Sequence, residues 1–226
     1  MVQKRSKPAL PPAAVVSEPV TLPKRRGRPR AYEPEVALAK ALDLFRKDGF
    51  AGTSLDDLSA ATGMNRPSLY GAFGDKRELY IKTYQRYRAD AKAAMADIFK
   101  VELPIRKRLQ RIYDVALDIY LSGEAGPRGC FTVMTAASEA VADPEIRAMV
   151  LEGFGELDKA FAICFRRAKE TGELPAGADP EMLAQMASAT IHTIAIRARA
   201  RVPRKQLEGI VRGAIDLMCG PEKRRG

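Results

Sequence analysis

The chain has 226 residues, with 38 Lys and Arg against 28 Asp and Glu, three Cys and one His, for a net charge of +10. At roughly 100–200 residues per domain, that length allows one large domain or two small ones. With 46% hydrophobic and 7% aromatic residues, the composition suits a packed globular core and excludes a wholly disordered chain. No run approaches the ~18 consecutive apolar residues of a membrane-spanning helix. Cys130, Cys164 and Cys219 lie far apart, which argues against a disulfide framework or a zinc site built on close cysteine pairs. Such cysteine usage points to a reducing, cytoplasmic compartment. With His192 the sole imidazole, a multi-histidine metal site cannot be built.

The charge is uneven. Residues 1–30 hold eight Lys or Arg against Glu18 alone, a net of +7, leaving +3 for the other 196 residues. A basic arm on a nearly neutral body points to a polyanion, and nucleic acid is the commonest. Pro8, Pro11, Pro12, Pro19 and Pro23 favour an extended, disordered arm. Its apolar stretch, broken by two prolines and followed by Glu18, does not read as a signal peptide.

From Tyr32 onward the pattern is helical. Leu38, Ala41, Leu42 and Phe45 recur at the spacing of one buried helical face, with Pro34 suited to the first turn and Gly49 to the end. Helix one therefore covers about 34–48. Thr53-Ser54-Leu55-Asp56 reads as a capping box opening a second, short helix, with Thr53 as the cap. Gly63 ends it. Asn65 caps a third helix, with Pro67 in its first turn and Gly74 as its stop. Asp75 and Glu78 form the capping box of helix four, from Lys76 to about Phe99. Later breaks fall at Pro104, Gly126-Pro127, Asp143-Pro144, Gly172, Asp179-Pro180, Pro203 and Gly220-Pro221. No segment alternates as a strand would. The expectation is an all-α protein of nine helices.

Two short helices joined by Gly63-Met64-Asn65 form a helix-turn-helix pattern. Around it, Ala41, Leu44-Phe45, Gly49-Phe50, Thr53-Ser54-Leu55, Leu58, Ala61, Gly63, Ser68-Leu69-Tyr70, Phe73, Asp75-Lys76 and Leu79 stand at particular spacings. With these residues the stretch from Arg28 to Tyr87 closely resembles the TetR/AcrR-type transcriptional regulators. The C-terminal part matches more weakly, through Gly129-Cys130-Phe131. The resemblance implies a TetR-like fold in four stretches. Residues 1–30 would be a basic arm, 31–80 the DNA-binding domain, 81–220 an effector-binding and dimerisation domain, and 221–226 a basic tail. Helix four would link the middle two.

Helix three would enter the major groove, where base edges carry a distinguishable code. Asn65, Arg66 and Pro67 lie at its N-terminal end, which usually meets bases. Arg66 can read guanine with two hydrogen bonds, and Asn65 can read adenine if it is not spent on capping. Thr53, Ser68 and Tyr70 carry hydroxyls suited to phosphate, and Lys76 adds charge at a helix end that favours anions. In the arm, Arg26-Gly27-Arg28-Pro29-Arg30 resembles an AT-hook core. Arg26, Arg28 and Arg30 would either enter a narrow minor groove or contact phosphates only.

In the C-terminal body, Tyr113, Leu117, Phe131, Met134, Phe154, Phe161, Phe165 and Met186 are candidates for an effector pocket, though such residues also fill cores. Few charges lie among them, which points to a small apolar or aromatic effector. His192 and Cys130 read better as structural residues than as ligands or sensors. The last two helices carry apolar stripes, with Met182, Met186, Ile191, Ile194, Ile210, Ala214 and Leu217 as candidate dimer contacts. The resemblance implies that these helices pack against a partner's. It also implies a homodimer that binds a palindromic operator in double-stranded DNA, usually represses, and is released by the effector. Such a protein would be cytoplasmic, associated with the nucleoid when bound to DNA. A DNA-organising or partner-binding protein of the same fold, without an effector, is the alternative. No paired carboxylates, phosphate loop, metal cluster or nucleophile motif suggests an enzyme, a metal or a cofactor.

Overall fold

In the computed structural model, half of the described helices open on a residue whose side chain caps free backbone N–H groups. The structure describes residues 33–123, 126–175 and 177–220. The basic arm, with Arg26, Arg28 and Arg30, and the tail at 221–226 lie outside them.

Ten helices and no strand occur among the described residues: α1 (Pro34–Asp48), α2 (Leu55–Thr62), α3 (Arg66–Phe73), α4 (Lys76–Lys100), α5 (Ile105–Leu121), α6 (Phe131–Ala137), α7 (Glu139–Ala142), α8 (Pro144–Glu170), α9 (Pro180–Arg199) and α10 (Arg204–Cys219). The expected all-α architecture is present. The count exceeds nine because the expected sixth helix divides at Ser138. There the hydroxyl bonds back to the Met134 carbonyl at 2.8 Å, and the backbone turns to φ −126°, ψ −90°. A serine that competes for helix carbonyls can break a helix without any glycine or proline to announce it.

The α2 cap also differs from expectation. Ser54, not Thr53, caps the helix: its hydroxyl accepts from Asp57 N, and the Asp57 carboxylate accepts from Ser54 N at 2.8 Å. Thr53 is one position too early. Its side chain is buried and its hydroxyl donates to the Gly49 carbonyl at 2.7 Å. The remaining caps follow the sequence. Asn65 opens α3, the Asp75–Glu78 box opens α4, and Asp143 and Asp179 open α8 and α9 ahead of their prolines. Gly63 adopts φ +73° between α2 and α3, a left-handed conformation that favours glycine and lets the two helices meet at a sharp angle.

An aromatic cluster joins the first three helices to the rest. Tyr80 of α4 meets Phe45 of α1 edge-on at 5.0 Å and Phe131 of α6 at 5.2 Å, and Tyr87 meets Phe131 at 5.8 Å. The Tyr80 hydroxyl donates to Glu139 Oε2 at 2.9 Å and lies 2.8 Å from Thr135 Oγ1; burial pushes this phenol's pKa well up. Where α4 and α8 begin, Arg77 grips Asp143 at 2.6 and 3.0 Å and Glu145 at 2.7 Å. The described residues, α1 through α10, belong to one compact unit. No described helix is long and apolar enough to cross a membrane.

Candidate functional site

The exposed face of α3 is short and polar. Leu69 and Phe73 turn into the core with Phe45, Leu58 and Leu79. That leaves Asn65, Arg66, Pro67 and Tyr70 exposed and Ser68 half-buried. Asn65 Oδ1 accepts from Ser68 N at 2.9 Å. Its carbonyl is therefore occupied, and the paired donor and acceptor needed for adenine are not both free. Arg66 lies against α2, donating through Nε to Asp56 Oδ1 at 3.0 Å and through Nη2 to Asp56 Oδ2 at 2.7 Å. Lys76 Nζ sits over the Phe50 ring at 4.2 Å, which keeps the ammonium near the start of α4 while leaving it partly open. Thr53, buried and bonded to Gly49, is not on this surface.

A cavity of about 360 Å³ opens between α4, α5, α8 and α9. Its wall includes Tyr87, Met95, Phe99, Ile119, Tyr120, Phe154, Leu157 and Ile191, and Cys130, Thr132 and His192 add further uncharged polar groups. Arg88, Lys92 and Glu156 also border it. Arg88 is paired with Glu152 at 2.9 Å and Glu156 at 3.0 Å, so the cations beside the cavity are offset by carboxylates. His192 packs against Phe154 with ring centroids 4.7 Å apart and the rings tilted by 50°. Burial lowers its pKa, which keeps the ring neutral near pH 7.

Of the eight residues expected at a pocket, Phe154 alone lines this cavity. Tyr113, Leu117, Phe131, Phe161 and Phe165 are fully buried in the core, Met134 is half-buried away from the wall, and Met186 is exposed. Large apolar side chains fill space. The space remains open beside small ones: Ala91 and Ala96 of α4, Gly153 and Ala160 of α8, and Cys130. The facing small residues were the signal available in the sequence, and they also bring His192 and Cys130 to the wall.

The apolar stripe of α9 also needs correction. Ile191 and Ile194 belong to the protomer's own core at 3% and 0% exposure, whereas Met182, Met186 and Ile196 are more than half exposed. On α10, Leu217 is 89% exposed and Ile210 and Ala214 are half-buried. The outward face of α9 is shifted around the helix from Ile191 and Ile194.

Beside the cavity, where α1 and α9 end, lies a pair of arginines. Arg46, near the end of α1, is 8% exposed. It donates to the Ile119 carbonyl at 3.1 Å and the Gly129 carbonyl at 3.2 Å, and stacks over Tyr87 at 5.3 Å. Arg199, at the end of α9, donates to the carbonyls of Arg46 (2.8 Å), Lys47 (3.2 Å) and Arg128 (3.1 Å). Guanidinium groups suit such places because the last carbonyls of a helix lack partners and carry partial negative charge. Gly129 allows the approach: its φ is +66°, and a Cβ there would lie 2.9 Å from the Ala195 carbonyl. Tyr87 and Ile119 thus belong both to this clasp and to the cavity wall. Neither arginine stood out in the sequence.

Comparison with known proteins places this geometry. Residues 37–83 match the model for bacterial regulatory proteins of the tetR family, and residues 106–214 match the tetracyclin repressor-like C-terminal domain. The HTH-type transcriptional repressor ComR of Escherichia coli is 30% identical over 180 residues, covering 78% of this chain and 84% of ComR. The chain belongs to the TetR family of DNA-binding transcriptional regulators. A second E. coli relative of this TetR protein, the HTH-type transcriptional repressor BdcR, is 32% identical over 126 residues, 56% of this chain and 62% of BdcR. Among solved structures, the TetR-family regulator CifR, as a cysteine mutant complexed with 26 bp double-strand operator DNA, superposes with a TM-score of 0.75. It is 29% identical, with 85% of this chain and 100% of CifR covered. Reduced E. coli NemR shares the fold at a TM-score of 0.72 and 20% identity, over 84% of this chain and 98% of NemR.

Proposed function

We propose that this regulator is a homodimer that binds a palindromic operator through α3, represses, and is released by a small effector bound between α4, α5, α8 and α9. The observation that carries the reading is the arginine clasp: Tyr87 and Ile119 touch Arg46 at the end of α1, in the DNA-binding part, and also line the cavity. An effector that favours another arrangement of that wall then weakens DNA binding by the ratio of its affinities for the two arrangements, and DNA weakens the effector equally. The relatives ComR and BdcR are named as repressors and CifR was seen on operator DNA, which supports the same assignment. The domain division at about residue 80 goes with it.

The apolar wall, the offset charges and the neutral His192 favour an uncharged, largely apolar or aromatic effector with one hydrogen-bonding group. Met182, Met186 and Ile196 on α9 with Ile210, Ala214 and Leu217 on α10 would meet their symmetry mates, so that two α3 helices face successive major grooves. The test is selection of genomic fragments by the purified protein at about 150 mM salt, where nonspecific contacts weaken. A short palindrome near a few promoters is expected. The +7 charge of residues 1–30 favours the second reading, a DNA-organising protein without an effector. Broad recovery of A·T-rich fragments without a palindrome would establish that one instead.

A further inference from the structure

A carboxylate on a surface that faces DNA is unfavourable by itself, because it repels phosphate. Asp56 is such a group: it lies in the first turn of α2, is more than three-quarters exposed, and stands beside the exposed N-terminal end of α3. Its position makes sense through Arg66. A guanidinium has five N–H donors in a rigid planar fork. Asp56 takes two of them along one side, Nε–H at 3.0 Å and one Nη2–H at 2.7 Å. Three donors remain, on Nη1 and the far side of Nη2. Two of these form the end-on edge that matches O6 and N7 of guanine.

We infer that Asp56 is a positioning residue for base reading: it fixes the plane of the Arg66 guanidinium and leaves its end-on edge free for one guanine in each half-site. This rests on Arg66 being a base reader. A free arginine side chain loses rotamer freedom when it is held. Asp56 imposes part of that ordering before DNA arrives, so less remains to be lost on binding. It also works against promiscuity: an Arg66 tied to α2 cannot swing freely to phosphates, and the carboxylate penalises loose contact with any duplex. Asp56 should therefore raise discrimination while lowering general DNA affinity.

The experiment is selection from a randomised duplex library with the full-length protein, in parallel for wild type, Asp56→Ala, Asp56→Asn and Arg66→Ala, each checked by thermal melting. In the expected result, Arg66→Ala erases one guanine preference per half-site. Asp56→Ala weakens that same preference about tenfold, within the range of one bidentate base contact, and leaves the other positions intact. Asp56→Asn, which retains one acceptor, falls between. Binding of Asp56→Ala to random duplex stays level or tightens. If Arg66→Ala erases the guanine preference and Asp56→Ala leaves it untouched, Asp56 does not position Arg66, while Arg66 stands as a reader. If Asp56→Ala weakens every position together with a lowered melting temperature, its role is structural and the inference fails. If Arg66→Ala changes no position, the base-reading role of Arg66 fails, and that of Asp56 with it.

Discussion

The α3 surface and the cavity are built in opposite ways. On α3 the residues of interest are those left outside: Arg66 and Tyr70 project because Leu69 and Phe73 are claimed by the core. At the cavity they are those that fail to fill the inside, and large residues nearby, such as Phe131 and Phe161, are sealed in packing. An exposed face can be read from helical periodicity along one segment. A cavity is a remainder between four helices distant in sequence. Substitutions on the first surface should change binding with little effect on stability, while those in the packing around the second should do the reverse.

The largest effect that could break this contrast is at Phe131. Phe131→Ala empties the meeting point of Tyr80, Tyr84 and Tyr87 and should cost about 3–5 kcal/mol of stability. Arg66→Ala, at an exposed position, should leave stability close to that of wild type. Chemical denaturation measures both, and similar losses would end the distinction. Next comes Arg46→Met, which keeps the apolar stem but leaves the Ile119 and Gly129 carbonyls without their charged donor. A loss of about 1–3 kcal/mol is expected. Titration calorimetry of operator and effector, once found, should also show weaker coupling between the two, whereas an unchanged coupling would remove the clasp from the switch.

Smaller effects sharpen the comparison. Removing residues 1–30 should flatten the dependence of DNA affinity on salt by about 0.9 in log–log slope for each phosphate that the arm neutralises, with the operator preference of α3 retained. Anisotropy titrations at several salt concentrations measure it, and disappearance of a preference for A·T-rich flanks would favour minor-groove reading by Arg26, Arg28 and Arg30. Last is Asp143, whose pKa the Arg77 guanidinium lowers from the ordinary 3.8 to about 2. A depressed carboxylate contributes stability that is present above its unfolded pKa and lost as pH falls through its folded one. Melting temperatures between pH 5 and 2 should thus fall less steeply in Asp143→Asn than in wild type. An identical slope would mean that the Arg77 pair adds nothing to acid stability.

Much of the fold was legible because its signals are local. Pro34, Asn65, the Asp75–Glu78 box and the two Asp-Pro pairs each mark a helix start with atoms a few residues apart, and the structure uses every one. The errors arose where two local choices compete or where burial decides. Thr53 and Ser54 can both cap, and the bond from Thr53 to Gly49 settles which one does. Ser138 breaks a helix through a hydroxyl that could equally have pointed to solvent. Ile191 and Ile194 share an apolar stripe with Met186, yet the protomer's own packing buries the isoleucines and leaves the methionine open.

By itself, then, the sequence determined the all-α class, the helix-turn-helix, the concentration of positive charge in residues 1–30 and the TetR family. These depend on spacing, capping and charge within short stretches. Tertiary structure alone decided that Asp56 meets Arg66 across ten residues, that Arg46 and Arg199 clasp the end of α1, and that the cavity lies beside Phe154 and His192 rather than Phe161 and Phe165. The physical reason is that ion pairs, buried carbonyl partners and unfilled volume depend on which helix faces meet, and no periodicity within a single helix specifies its neighbour.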